Sequence, residues 1–428
     1  MRKRAYGAVR VNDVDVAQLV SGRDGVAVTV GVDAGKVELL CVSRWTDGEF
    51  ERPWRVKNPT EIPAVVARLQ QLGQGRQLVV ALEASGTYGD ALRQALADAG
   101  IAVLRVSGKA TKDYAEIFDG VPSQHDGKDA AIVAELAAAG KGQPWPYQAP
   151  DAWEQELRYW VDGLVAQREE LTRWQGRLEG LLARHWPEAT RVLKLSSATL
   201  LRTLAQYGSA QAVAADAAAH AVLTQWGGKF LKPDKVVALL AAARGSVGIR
   251  PGVWEQRQIQ DYARHALEAR RQGQRCAARL RQLARGHAVL QAQGKAVGVT
   301  TACVFWVHTG DPRRFHAAAA YRKAMGLNLK ERSSGRYRGQ LKISKRGSAR
   351  TRQWLYFAVL RLVQRCGVRP WYEAKKARNP QHAKRALVAV MRKLALALYH
   401  VAVRDEEFVP ERLFARVRRS DSRVTVKR

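Results

Sequence analysis

The stretch Val26-Ala27-Val28-Thr29-Val30-Gly31-Val32-Asp33 is a β-branched run that ends in an acid. Branched side chains pack well on a pleated surface and suit extended backbone, so the run predicts a strand. Ala34-Gly35-Lys36 then predicts a turn, Val37 to Trp45 a second strand and Glu49 to Val56 a third. Thr60 to Leu72 has helical spacing, and Gln77-Leu78-Val79-Val80-Ala81-Leu82-Glu83 is another strand ending in an acid. Asp90 to Ala99 predicts a helix closed by Gly100, Ile101 to Val106 a fifth strand, and Asp126 to Ala139 a helix ending at Gly140.

Three strands, helix, strand, helix, strand, helix is the order of an RNase H-like fold, a mixed sheet flanked by helices. Four acids fall at informative places. Asp33 and Glu83 end strands, and Asp126 and Asp129 stand three apart on one helix face. Carboxylates meeting at strand ends and a helix turn can hold two Mg²⁺ ions roughly 4 Å apart, which clamp attacking and leaving oxygens. Singly, each acid has a plainer role: Asp33 as a turn residue, Asp126 as a cap, Asp129 as a first-turn acid favoured by the helix dipole. Together and in order they form the candidate metal and catalytic set.

Outward from this α/β block, residues 1–25 are polar and mixed and are expected as a flexible N-terminal arm, with the domain proper over 26–145. Pro144, Pro146 and Pro150 mark a linker. From Asp151 to Trp186, Leu157, Trp160, Leu164, Leu171, Trp174, Leu178 and Leu181 recur at helical intervals. Shorter helices are expected over Leu193 to Tyr207 and Val213 to Trp226, and a second long one over Glu255 to Leu290. The expectation for 146–293 is a helical, coiled-coil arm carrying an insertion at about 190–250, its leucine and aromatic stripe being core or dimer seam. Residues 294–405 read as a third, mainly α domain: helices over Thr300 to His308, Arg350 to Cys366 and Lys384 to Val403. Residues 406–428 read as a basic tail, ordered only on meeting nucleic acid.

Charge follows this division. The chain carries a net +32, but 1–150 is neutral, 151–310 carries +9 and 311–428 carries +23. So lopsided a distribution points to a polyanion. No basic amphipathic anchor, lipidation signal or long apolar run appears, so neither a membrane partner nor a span is expected. Arg2, Lys3 and Arg4 precede no apolar run, which argues against a signal peptide. Cys41, Cys276, Cys303 and Cys366 are far apart and form no CxxC pair, so zinc sites and disulfide frameworks are excluded in favour of buried thiols of a reducing compartment.

The basic balance peaks at Lys330-Glu331-Arg332-Ser333-Ser334-Gly335-Arg336-Tyr337-Arg338-Gly339, running on to Ile343-Ser344-Lys345-Arg346-Gly347. The glycines argue for a loop that approaches something closely, and the charge argues that this is phosphate. A hydroxyl held among arginines suits phosphoryl transfer. Arg332, Arg336, Arg338, Lys342, Lys345 and Arg346 are the candidate nucleic-acid contacts. The plainer alternative is a solvated basic loop.

The chain resembles the transposases of the IS one-ten insertion-sequence family, related to Piv-type DNA invertases and to bridge-RNA-guided recombinases. Gly31-Val32-Asp33-Ala34-Gly35-Lys36, Leu82-Glu83-Ala84-Ser85-Gly86-Thr87-Tyr88 and Asp126-Gly127-Lys128-Asp129-Ala130 are similar to their RuvC-like DEDD domain. Gly310-Asp311-Pro312, Gly326-Leu327, Ser333-Ser334-Gly335, Ile343-Ser344-Lys345-Arg346-Gly347 and Ala386 to Leu394 are similar to their transposase domain. Two blocks depart. Lys295-Ala296-Val297-Gly298 stands where Pro-Gly-Val-Gly is usual, and Gln124-His125-Asp126 where Lys-Thr-Asp is usual.

The resemblance implies a DNA transposase or recombinase of the bacterial cytoplasm, associated with the nucleoid, with Ser333 as nucleophile and Ser334 as the alternative. It implies Mg²⁺ at the four acids, a structured guide RNA encoded by the element, and a dimer or tetramer. Acids and serine lie at opposite ends of the chain, so a site composed from different protomers is expected, with acid-dead and serine-dead variants complementing each other. Two other readings stay open: a metal-only nuclease of junction-resolvase type whose serine loop only binds phosphate, and a catalytically silent nucleic-acid-binding regulator.

Overall fold

The opening apolar run forms the central strand of the first of two compact units, Met1–Ala149 and Pro150–Arg428. The structure is a computed structural model that describes residues 7–83, 86–120, 126–149, 151–331, 333, 339, 342–344, 346–365 and 367–414. In the first unit, β2 (Val28–Ala34) pairs antiparallel with β3 (Glu38–Trp45), which pairs antiparallel with β4 (Trp54–Lys57). On its other side β2 runs parallel to β5 (Leu78–Glu83), and β5 parallel to β6 (Ala102–Val106). Edge strands β1 (Val9–Arg10) and β7 (Gln143–Pro144) complete the order β1-β4-β3-β2-β5-β6-β7. The five central strands have the order expected of an RNase H-like sheet.

Strand alternation assigns the two faces of β2. Val28, Val30 and Val32 pack with Val65 and Leu69 of α2 (Ile62–Leu72) and with Leu92 and Leu96 of α3 (Asp90–Asp98). The opposite face, which carries Gly31 and Asp33, receives α5 (Asp126–Leu136). Beside α5 lies α4 (Gly108–Asp119), whose Ala115 shares a small core with Val106, Ile132 and Val133.

Two features differ from expectation. Residues 7–25 are not a loose arm: Val9–Arg10 joins the sheet edge, a short helix α1 (Val16–Val20) follows, and Val11, Val14 and Val16 are buried in the main core. The run of valines at 9, 11, 14 and 16 supplies enough apolar surface to hold it down. Helix α4 has no counterpart in the sequence reading, although Ala110, Tyr114, Ala115 and Phe118 give it an apolar face at helical spacing.

In the second unit, α6 (Ala152–His185) and α12 (Val253–Leu283) lie antiparallel. The Trp153 indole donates to the Leu283 carbonyl at 3.2 Å, Arg279 bonds Glu156 at 2.6 Å, and Arg184 meets Glu255 at 3.3 Å at the far end. The apolar stripe of α6 is therefore core, packed against the chain's own second long helix: Leu157, Val161 and Leu164 share a core with Cys276 and Leu280. Helices α7 (Ala189–Val192), α8 (Ala198–Tyr207), α9 (Ala210–Ala215), α10 (Ala219–Gly227) and α11 (Pro233–Arg244) cap one end of this pair around Leu182, Trp186 and Leu204.

At the other end sit α13 (Ala288–Val297), α14 (Val299–Thr309), α15 (Ala318–Arg322), α16 (Ala349–Leu362), α17 (Arg369–Ala377) and α18 (Ala383–Arg404). Segment 380–404 is long and apolar enough to cross a membrane, which the sequence reading did not anticipate. Leu387, Val390, Met391, Leu394 and Leu398 on it are buried in the same core as α6, so its apolarity is accounted for by packing. Cys41, Cys276 and Cys303 are free and buried, as expected; Cys366 lies outside the described residues.

Candidate metal centre and serine hairpin

Carboxylate oxygens of Asp33, Asp126 and Asp129 lie within 4.8 Å of one another. The close approach begins at Gly31. A Cβ there would stand 2.1 Å from the Ala130 carbonyl oxygen and 2.4 Å from the Ala134 nitrogen, so only glycine lets α5 settle on the strand. Small residues on the helix, Ala130, Ala131 and Ala134, complete the fit and are buried. Asp33 is one pleat beyond Gly31 on the same face, so seating the helix delivers Asp126 and Asp129 to it.

Two ion pairs fix α5 laterally. Arg44 of β3 holds Glu135 at 2.5 Å. Lys128, 1% exposed, holds Asp119 at the end of α4 at 2.7 Å. Lys128 stands between the two aspartates in sequence but turns into the core.

Glu83 ends the neighbouring strand β5, as the sequence predicts. Among the described residues it is not within the three-aspartate group, although its charge is felt at Asp33. Its Oε2 accepts from the Thr111 hydroxyl at 2.8 Å. Its Oε1 lies against Gly108, where a Cβ would come within 2.3 Å. The sequence reading missed both supporting residues because they belong to α4. His125 and Gln124, before Asp126, lie outside the described residues.

The electrostatics suit a divalent cation. Burial raises the Asp33 pKa to about 6, and the charges of Asp126, Asp129 and Glu83 push the same way, while the Ala34 backbone amide partly opposes them. Carboxylates gathered this closely repel, and hard oxygen donors are what Mg²⁺ or a similar ion takes. The donor set therefore fits such an ion, with Asp33, Asp126 and Asp129 as the nearest ligands.

Ser333 belongs to the second unit, in the loop of a two-stranded ribbon. Strands β8 (Leu329–Lys330) and β9 (Lys342–Ile343) pair antiparallel, Leu329 against Ile343. Ser333 is exposed. The base of the ribbon is tightly built. Gly347 has φ +90°, and a Cβ on it would lie 2.6 Å from the carbonyl oxygens of Lys323 and Ala324. The Ser348 amide donates to Ala324 at 2.9 Å, and its hydroxyl caps α16 by accepting from Thr351 at 3.0 Å. Arg392 donates to the Leu327 carbonyl at 2.5 Å, and Arg352 to that of Gly326 at 3.3 Å. Lys342 and Arg346 are exposed near this base. Ser334, Arg332, Arg336, Arg338 and Lys345 lie outside the described residues. Lys295-Ala296-Val297 close α13, and Gly298, at φ +90°, joins it to α14.

Residues 30–187 match a family model described as a transposase DEDD domain, and residues 288–377 one described as the transposase IS116/IS110/IS902 family. The chain is 26% identical over 397 residues to an uncharacterized 42 kDa protein of insertion element IS900 from Mycobacterium paratuberculosis, covering 88% of this chain and 98% of that one. A solved structure of T. thermophilus RuvC in complex with a Holliday junction substrate aligns at 19% identity, over 28% of this chain and 99% of that chain, with a TM-score of 0.22. With DEDD and transposase parts matched in order along one chain, the protein belongs to the IS116/IS110/IS902 family of DNA transposases.

Proposed function

We propose that this transposase cuts and rejoins DNA through a covalent phosphoserine at Ser333, assisted by Mg²⁺ held at Asp33, Asp126, Asp129 and Glu83. The observation that carries the reading is the convergence of three carboxylates, on a strand end and a helix turn, within 4.8 Å. Bound there, the cation offers charge stabilisation to the oxygens of a phosphodiester under attack.

The residues have separable tasks. Thr111 and the space at Gly108 hold Glu83 toward the cluster. In the step itself, the Ser333 Oγ–P bond forms and a P–O bond of the DNA strand breaks. The serine gives up its proton and the departing deoxyribose oxygen takes one. Attack by a deoxyribose hydroxyl on the phosphoserine reverses the sequence, rejoins a strand and frees the serine. Serine is a weak nucleophile at its ordinary pKa and needs this help. Exposed Lys342 and Arg346, with Arg332, Arg336, Arg338 and Lys345, supply cations for the phosphate.

An element-encoded structured RNA that pairs with donor and target DNA, and a dimer or tetramer able to hold two duplexes, belong to the same proposal. The concentration of +23 in residues 311–428 supports a polyanion partner. The test is cleavage and rejoining of a junction-bearing DNA by the purified protein with its co-purified RNA. Activity that needs Mg²⁺ and is lost in both Ser333→Ala and Asp33→Ala supports the reading. Nicking that survives Ser333→Ala assigns a metal-only nuclease instead.

A further inference from the structure

A groove of about 710 Å³ runs between α6 and α16, the helix that follows the serine ribbon. Its walls are matching helical faces: Val165, Arg168, Glu169 and Thr172 from one side, Arg350, Trp354, Phe357 and Arg361 from the other. Three features set it apart from an ordinary seam between helices.

The first is charge. Arg168, Arg350 and Arg361 line it against a single acid, Glu169, and that acid is already bonded to Arg350. The second is the stacking of Arg168 on the Trp354 ring at 4.2 Å, which fixes the guanidinium in place. Burial and the neighbouring Arg361 both depress the Arg168 pKa, so the pair repel each other across the groove. An anion between them relieves this. The third is Phe357, a large apolar ring left 47% exposed one helical turn from buried Trp354. Fixed cations interleaved with an exposed aromatic are the elements by which proteins hold unpaired nucleotides: phosphate on the guanidiniums, base on the ring. A duplex keeps its bases stacked inside and has no use for the ring.

We propose that the α6–α16 groove binds an unpaired nucleic-acid strand, its phosphates between Arg168 and Arg361 and a base stacked on Phe357. The site requires neither Ser333 nor the acid cluster. It rests only on the family's being a nucleic-acid enzyme, so its test uses binding without catalysis.

Full-length protein in EDTA is titrated against fluorescein-labelled 12-nucleotide single-stranded RNA, single-stranded DNA of the same sequence, and the matching DNA duplex, with anisotropy as readout. Phe357→Ala is expected to weaken one or both single strands about tenfold and leave the duplex unchanged. The strand affected identifies the source as RNA or DNA. Phe357→Trp is expected to retain wild-type affinity, which separates stacking from misfolding. Arg168→Gln is expected to weaken the same strand and to lower its salt slope by about one. Single-strand affinity unchanged in both Phe357→Ala and Arg168→Gln overturns the proposal. So does equal loss for single strand and duplex, which marks general electrostatic attraction.

Discussion

Gly31 on the central strand and Ala130 on the acid-bearing helix approach so closely that a methyl group on the glycine would sit 2.1 Å from the Ala130 carbonyl oxygen. The obstacle is backbone, which cannot swing aside. Gly31→Ala is therefore expected to push α5 off the sheet and to destabilise the protein by about 3 kcal/mol, the upper range for overpacking a core. Urea denaturation followed by circular dichroism measures it. A loss under about 0.5 kcal/mol, the usual range for harmless surface changes, contradicts the tight seat.

At Gly108 the neighbour is instead the flexible end of Glu83. Gly108→Ala is expected to leave stability nearly unchanged, because the carboxylate can turn away, while strand cleavage falls about tenfold. Thr111→Val removes the hydroxyl that donates to Glu83 and is expected to act in the same direction, by roughly 1 kcal/mol of lost positioning. Cleavage rates and melting temperatures measured side by side check this. Equal loss of both would make Glu83 structural.

Asp33 makes stability depend on pH in a predictable sense. Its native pKa, about 6, exceeds the ordinary 3.8 because of burial first and the neighbouring carboxylates next. Between those values the native state holds a proton that the unfolded chain has released. The group's contribution is complete below about pH 4 and is lost as pH rises through about 6. In EDTA, the melting temperature of the wild type is expected to fall from pH 5 to 7.5 more than that of Asp33→Asn. Adding Mg²⁺ at pH 7.5 is expected to raise the wild type only. Parallel curves for the two proteins, or equal Mg²⁺ shifts, contradict the cluster as a metal site.

The Lys128–Asp119 pair is nearly enclosed, with the lysine 1% exposed. Breaking a buried ion pair from one side is costly, so Lys128→Ala is expected to cost about 3 kcal/mol. Thermal melting checks it, and a cost below about 1 kcal/mol would mean that water reaches Asp119.

The gathering of acids at the candidate site was legible because these residues sit at points where local pattern and chemistry coincide. Asp33 ends a β-branched run, Glu83 ends another, and Asp126 and Asp129 share a helix face by spacing alone. Gly31 carried a weaker signal: a glycine inside a strong strand marks a close backbone approach, but not by what. The supports of Glu83 were illegible, since the role of Thr111 and Gly108 depends on the packing of their helix against a strand 25 or more residues away in sequence. The long helices were legible as apolar stripes. Their pairing with each other, through Leu157 and Leu164 against Leu280, was not, because a stripe does not name its partner. The groove of Arg168 and Phe357 joins residues nearly 190 apart and has no sequence signature.

The measurement that bears most directly on the central claim is covalent trapping with peptide mapping. Protein, co-purified RNA, Mg²⁺ and junction DNA are denatured during reaction, digested, and the nucleotide-bearing peptide is located by mass spectrometry, with Ser333→Ala, Ser334→Ala and Asp33→Ala in parallel. The account predicts a nucleotide ester on Ser333, absent in Ser333→Ala, retained in Ser334→Ala and lost or greatly reduced in Asp33→Ala. An ester on Ser334, or cut DNA with no protein adduct, would contradict it.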